Sequence, residues 1–292
     1  MSTDPRERAA ALSCWSGPVE PEPVVGGLTN ANFRVEDAGQ SFFVRIGDDI
    51  PVHGVMRFNE AAASRAAHAA GLSPEVVHLA PGALVLRFVE GRTLAPEDLR
   101  APENLERALA LVRRCHRELP RHLRGPTLSF WVFHIVRGYA HTLQRDNHAR
   151  ATELPRLLVA CEALERAVGP IDLVFGHNDL LASNWLDDGQ RLWLIDWDYA
   201  GWGSALFDLG GLASNNQFSP EQEAGMLASY FGREPDAALR RAYAAMKCAS
   251  LLREALWSMV SELHSGLAFD YAAYTADNLA RFESVYAGFR NA

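Results

Sequence analysis

The run GHNDLLASNWLDDGQRLWLIDWD, residues 176–198, decides how this chain reads. Two short apolar runs flank its polar loop, Leu173–Phe175 and Leu192–Ile195, and each passes directly into amide or acidic residues. Apolar runs of that length read as buried strands. The pattern therefore predicts two strands that deliver a loop of polar side chains to one edge. Within that loop His177, Asp179 and Asn184 fall at the spacing H-x-D-L-x-x-x-N, and Asp196 closes the second apolar run twelve positions after Asn184.

That set of side chains has a chemical meaning. Phosphoryl transfer needs little covalent help and much positioning: one carboxylate orients and deprotonates the attacking oxygen, and hard oxygen ligands neutralise phosphate charge. Asp179 is read as the catalytic base, with Asn184 and Asp196 holding Mg²⁺ against the phosphates of ATP. Asn and Asp also bond their own backbone in ordinary turns, and any one of the three alone favours that plainer reading. All three in register between two apolar runs favour a phosphotransferase site. His177 is read as a structural histidine that supports the loop, because Asp179 already fills the base role.

Upstream, alternation in Asn32–Val35 and Ser41–Ile46 predicts paired strands with a turn at Asp37-Ala38-Gly39. Arg57–Ala70 is alanine-rich, ends near Gly71 and predicts a helix, followed by an apolar strand at Ala83–Val89. From Pro96 onward the periodicity turns helical: Glu103–Leu119, Ser129–Gln144, Leu154–Val168, Pro220–Phe231, Asp236–His264 and Tyr271–Phe289. The expected class is α+β in two lobes, a small β-rich nucleotide-binding lobe over residues 1–90 and a larger, mainly helical catalytic and substrate-binding lobe over 91–292.

Composition narrows the partners. The 292 residues carry 28 basic and 36 acidic side chains, a formal charge of -8. This opposes general attraction to nucleic acid or an anionic membrane and suits a cationic small substrate. Lys247 is the sole lysine, so chemistry that commonly falls to lysine must pass to arginine. Cys14, Cys115, Cys161 and Cys248 lie far apart, without metal-site spacing, and read as free thiols in a reducing cytoplasm. The polar start of the chain lacks the apolar core of a signal peptide, and no run reaches the length of a membrane span. Oligomeric state is not legible.

Residues 177–210, HNDLLASNWLDDGQRLWLIDWDYAGWGSALFDLG, resemble the aminoglycoside phosphotransferase and choline/ethanolamine kinase superfamily, which has a protein-kinase-like fold. The resemblance implies that Asp208 helps to fix the loops. It also implies that the segment from Gly26 to Asn32 covers the phosphates, with Gly27, Thr29 and Asn30 approaching the nucleotide. Arg45 stands where kinases place the phosphate-contacting lysine, and choline and ethanolamine kinases resemble this chain in using arginine there. Glu60 is the expected partner of Arg45. The segment around Phe88 and Val89 resembles the hinge that binds the adenine edge.

Late segments around Trp257 and Tyr271 resemble the amino-alcohol pocket of those kinases. A trimethylammonium has no N–H to donate, so aromatic faces and carboxylates must recognise it. Tyr199, Trp202, Trp257 and Tyr271 are the candidate aromatics, and Asp198 and Glu254 the candidate charges. Glu254 stands where similar choline kinases often carry a tryptophan, which leaves the cation open. Choline or a related amino alcohol is the first reading, with ethanolamine, thiamine or an aminoglycoside as alternatives. A nucleotide-binding protein without catalysis on the same fold is the rival of another class.

Overall fold

The computed structural model of the chain describes residues 4–24 and 30–291. Gly27 and Thr29, expected at the phosphates, lie outside the described residues.

A short helix α1 (Pro5–Ala10), capped by the Asp4 side chain, precedes strands β1 (Glu22–Pro23), β2 (Ala31–Asp37) and β3 (Gln40–Ile46). Helix α2 (Arg57–Ala69) then leads to β4 (Val76–Ala80) and β5 (Ala83–Arg87). The strands form an antiparallel sheet in the order β1-β2-β3-β5-β4. Asp37 pairs with Gln40, leaving Ala38 and Gly39 as a two-residue turn with φ of 49° and 75°. Two consecutive left-handed residues match the right-handed twist of the strands they join. Phe33, Val35, Phe42, Val44, Ile46 and Val85 alternate onto one face and close a small core with Ala9.

Helix α2 packs elsewhere. Its Ala63, Ala66 and Ala67 join a second, larger core made mostly of helices. That core is built from β6 (Arg92–Thr93), α3 (Pro96–Arg100), α4 (Pro102–Arg117), α5 (Val132–Arg145) and α6 (Leu154–Val168). It continues through β7 (Leu173–Gly176), β8 (Trp185–Asp187), β9 (Leu192–Leu194) and β10 (Gly201–Ser204). Helices α7 (Ala205–Asn215), α8 (Pro220–Phe231), α9 (Ala237–His264) and α10 (Tyr271–Asn291) complete it. Strand β7 pairs with β10, and β8 lies between β6 and β9. The polar loop sits between these two small sheets.

Helices α6 and α8 coincide with the expected spans, and α9 starts one residue later because Asp236 caps it, accepting from the Leu239 N–H at 2.9 Å. Helix α5 starts at Val132 rather than Ser129: Ser129 bridges to Trp202 and the Phe130 N–H donates to the Trp202 carbonyl, which keeps this stretch extended. Strands β1, β4, β6, β8 and β10 and helices α3 and α7 were not anticipated. The two adjacent glycines of α7 lower its helix propensity, but Ser204 caps it and nearly every residue is buried. A Cβ on Gly210 would lie 2.8 Å from the Lys247 backbone nitrogen, so glycine there permits the close crossing of α7 on α9.

The four cysteines are free; three are buried and Cys14 is half-buried. Among the described residues no helix is long and apolar enough to cross a membrane.

Candidate active site

Strand β7 ends at Gly176, and the chain turns sharply at Asn178, whose φ is +64°. A left-handed residue other than glycine is uncommon and marks a constrained turn, with Asn among the types that tolerate it best. Asp208, in the first turn of α7, holds the turn. Its carboxylate accepts from the His177 N–H at 2.9 Å and the Asn178 N–H at 2.6 Å, and bonds His116 Nε2 at 2.8 Å. Burial alone would raise the pKa of Asp208, but the bonds and charges of His116 and His177 bring it below the ordinary value. Gly176 is required beside it, since a Cβ would come within 2.9 Å of the Asp208 carboxylate.

His177 is fully buried; its Nε2 bonds the Ile195 carbonyl at 2.9 Å and its ring packs against Trp197. Burial holds its pKa down. The first loop is thereby tied to the end of β9, where Asp196 also adopts a left-handed backbone, φ +66°. Two constrained residues thus lie on loops that His177 ties together.

Asp179 is half-buried. The Asn184 amide donates to its backbone carbonyl at 2.8 Å and to its carboxylate at 3.2 Å. Burial raises the Asp179 pKa to about 7; Glu254 and Asp198 add to the rise, while Arg253 and Asn184 oppose it. Asp196 reaches solvent, but the groups around its carboxylate still strip away part of its hydration. That loss first, then Asp198, Asp179 and Glu60, pushes its pKa well up. Asp179, Asn184 and Asp196 are therefore brought together.

On the sheet side the buried Arg45 donates to Glu60 at 2.5 Å and to the Gly47 carbonyl at 3.3 Å. Burial lowers the Arg45 pKa and, with Asp198, raises that of Glu60 to about 7. The expected Arg45–Glu60 pair is present. Sequence reading missed Arg57, which stands at the centre of this cluster. Its Nη1 donates to Glu60 at 3.0 Å and to Asp198 at 2.7 Å, and its Nη2 to the Asn30 Oδ1 at 2.6 Å. The i,i+3 spacing of Arg57 and Glu60 on a helix is the signal that was available for it. The sole lysine is far from this chemistry in role: Lys247 pairs with Glu223.

Asp198, expected at the acceptor, is placed differently. It is buried against Arg57 and Asn30, in the cluster beside the amino-terminal sheet. Trp202 also departs from expectation: strand alternation turns it onto Phe175, ring centroids 5.5 Å apart, and its indole donates to Thr127 at 2.9 Å. Tyr199, Trp257 and Tyr271 do gather. The Trp257 indole donates to the Tyr199 hydroxyl at 2.9 Å, and its ring meets Tyr271 edge-on at 6.2 Å.

Glu254 stands beside them but is engaged by Arg253 at 2.8 Å and by the Tyr274 hydroxyl at 2.9 Å. Arg253, also missed, is buried with its guanidinium 4.3 Å from the centre of the Tyr199 ring. The signal for it was a charge one turn before Trp257 on an otherwise apolar face of α9. At the expected hinge, the Phe88 N–H is committed to the Ser41 carbonyl at 3.0 Å.

Residues 20–257 match the profile of the phosphotransferase enzyme family. Protein LicA of Haemophilus influenzae is 27% identical over 267 residues, covering 87% of this chain and 77% of the relative. Ethanolamine kinase 2 of Mus musculus is 26% identical over 281 residues, covering 85% of this chain and 71% of the relative. The crystal structure of a choline/ethanolamine kinase family protein from Mesorhizobium loti is 29% identical, superposes with a TM-score of 0.78 and covers 98% of both chains. These likenesses bear out the expected protein-kinase-like fold, with its β-sheet amino-terminal region and helical remainder. The matched profile spans most of the sequence and all the loops that carry the acidic cleft, and the chain belongs to the phosphotransferase enzyme family.

Proposed function

We propose that this chain transfers the γ-phosphate of ATP to the hydroxyl of a small amino alcohol, choline, ethanolamine or a relative of them. The observation that carries this reading is the pair of left-handed turns at Asn178 and Asp196, which set Asp179, Asn184 and Asp196 around one cleft.

Asp179 accepts the proton of the acceptor hydroxyl. The freed oxygen bonds to the γ-phosphorus in line as the bond from that phosphorus to the bridging β-oxygen breaks, and ADP leaves. A carboxylate with a pKa near 7 is well matched to take a proton at neutral pH. Asn184 steadies the base by donating to it.

Asn184 and Asp196 would hold Mg²⁺. The fit rests on Asp196, a crowded carboxylate whose neighbours Asp198, Asp179 and Glu60 all favour added positive charge at this point. Mg²⁺ is commonly held by one or two protein oxygens plus phosphate, and the described residues contain no cluster of three or more His, Cys, Asp or Glu that would cage a metal unaided. When bound, the ion supplies neutralisation of phosphate charge.

Arg45, kept in place by Glu60, is assigned to the phosphates, with Gly27, Thr29 and Asn30 approaching the nucleotide. The hinge assignment narrows to Val89 and the Phe88 carbonyl. The boundary between lobes is placed at residues 90 and 91. Tyr199, Trp257 and Tyr271 form the aromatic side of the acceptor pocket, and the free thiols suit a reducing cytoplasm.

The test is ADP release with ATP, Mg²⁺ and a panel of choline, ethanolamine, thiamine and an aminoglycoside. Turnover is expected with an amino alcohol, and Asp179→Asn should lower kcat by about 10²–10⁴-fold with its unfolding midpoint retained. Full turnover in that variant removes the mechanism.

A further inference from the structure

The acceptor side of the site carries a cation of its own. Arg253 projects from α9 with its guanidinium over the face of Tyr199, and its Nη1 donates to Glu254. The second oxygen of Glu254 accepts from Tyr274. An aromatic face and a carboxylate are the two features a substrate ammonium uses. Here the chain's own guanidinium already occupies both.

Beyond Glu254 and the nearby Tyr139 hydroxyl, the rest of that guanidinium is unspent. Arg253 is 4% exposed, yet its Nε and Nη2 make no hydrogen bond among the described residues. These two nitrogens form the side-on edge of the planar group, the edge that meets both oxygens of a carboxylate at once. Leaving a buried donor unmet is costly, and native structures seldom tolerate it without a reason. Arg253 lines a gap beside the catalytic loop together with Asn178, Asp179 and Glu254. The unmet donors therefore belong to a residue that borders the same space as the base.

We propose that Arg253 recognises a carboxylate on the acceptor, so that the alcohol phosphorylated by this chain is an amino alcohol that also bears a carboxylate, a hydroxy amino acid. The proposal rests on the kinase reading of this site and narrows its substrate class. It accounts for Glu254, whose negative charge balances Arg253 and so is not spent on a substrate ammonium.

Matched pairs of acceptors test it, because serine differs from ethanolamine, and homoserine from 3-aminopropanol, by the carboxylate alone. In an ADP-release assay with ATP and Mg²⁺, the carboxylated member of at least one pair should have the higher kcat/KM by about tenfold or more. In Arg253→Gln that ratio should collapse by about tenfold. In Arg253→Lys, which keeps the charge and loses the side-on edge, it should fall part of the way. The wild-type ratio and the Lys variant decide the matter if the Gln variant does not fold. A wild-type preference for the uncarboxylated members overturns the proposal, as does a ratio unmoved by either substitution. If neither these acceptors nor choline release ADP from the folded protein, the kinase reading itself fails, and the proposal with it.

Discussion

Two clusters of buried charge lie on either side of Asp196 in the electrostatics of the site, and they differ in how fully their charges are paired. Around Arg57 each charge has a partner, with the Arg45 Nε alone left unmet: Arg45 pairs with Glu60, Arg57 with Glu60 and Asp198, and Asp198 also with Asn30. Around Asp179 and Arg253 the account is left open. Asp179 has an amide for a partner rather than a cation, and Arg253, though paired with Glu254, keeps two donors unmet. Buried charges are costly unless paired, so the closed cluster reads as framework. It joins α2 to the loop after β9 and carries Arg45. The open cluster reads as provision for groups that arrive with substrate.

The largest effect should come from breaking the closed cluster. Arg57→Ala leaves Asp198 and Glu60 buried with one cation fewer, and removal of one partner from a buried pair costs about 3–5 kcal/mol. Urea unfolding should show a loss of that order; a loss near zero would mean that the cluster is not framework and that the contrast fails.

A smaller effect comes from the acceptor side, where His53 is buried between the Tyr139 hydroxyl at 3.2 Å and the Ser261 hydroxyl at 3.1 Å, its ring 5.4 Å from Trp257. Burial, helped by Arg253 and His264, lowers its pKa from 6.5 to about 3. The folded value lies below the unfolded one, so the unfolded chain binds the proton first as pH falls. Stability from this residue is complete above about pH 6.5 and declines below it by about 1.4 kcal/mol per unit until the folded value is reached. On going from about pH 7.5 to 5.5, urea unfolding should show the wild-type protein losing that increment of stability relative to His53→Gln, the opposing contributions of Asp179 and Glu60 being common to both. Equal pH sensitivity in both would show that His53 is not held neutral.

The smallest change concerns Trp202, which belongs to neither cluster. Trp202→Phe gives up its bond to Thr127 and should cost about 1 kcal/mol of stability, with KM for the acceptor alcohol unchanged. A rise in that KM would return Trp202 to the pocket.

The helices with clean apolar periodicity were legible in the sequence to within a few residues, as was the hairpin at Ala38–Gly39. Strand β10 was not, because Gly201-Trp202-Gly203-Ser204 lacks apolar alternation and becomes a strand only by pairing with β7. Helix α7 was hidden for a related reason: burial against α9 outweighs the low propensity of its glycines. In the site, residues close in sequence were readable and residues that meet across the fold were not. Asp208 supports the loop from about thirty positions away. Arg57 and Asp198 are separated by 141 positions.

By itself the sequence picked out the proposed reacting set, Asp179, Asn184 and Asp196, because their spacing between two apolar runs is a local property of one segment. It also showed that no lysine other than Lys247 is present, which is why Arg45 is proposed for the role lysine commonly takes. Only the tertiary structure decided which charges are spent. Whether Asp198 and Glu254 are free to meet a substrate depends on Arg57 and Arg253. Pairing depends on distance and burial in three dimensions, which residue order along the chain does not encode.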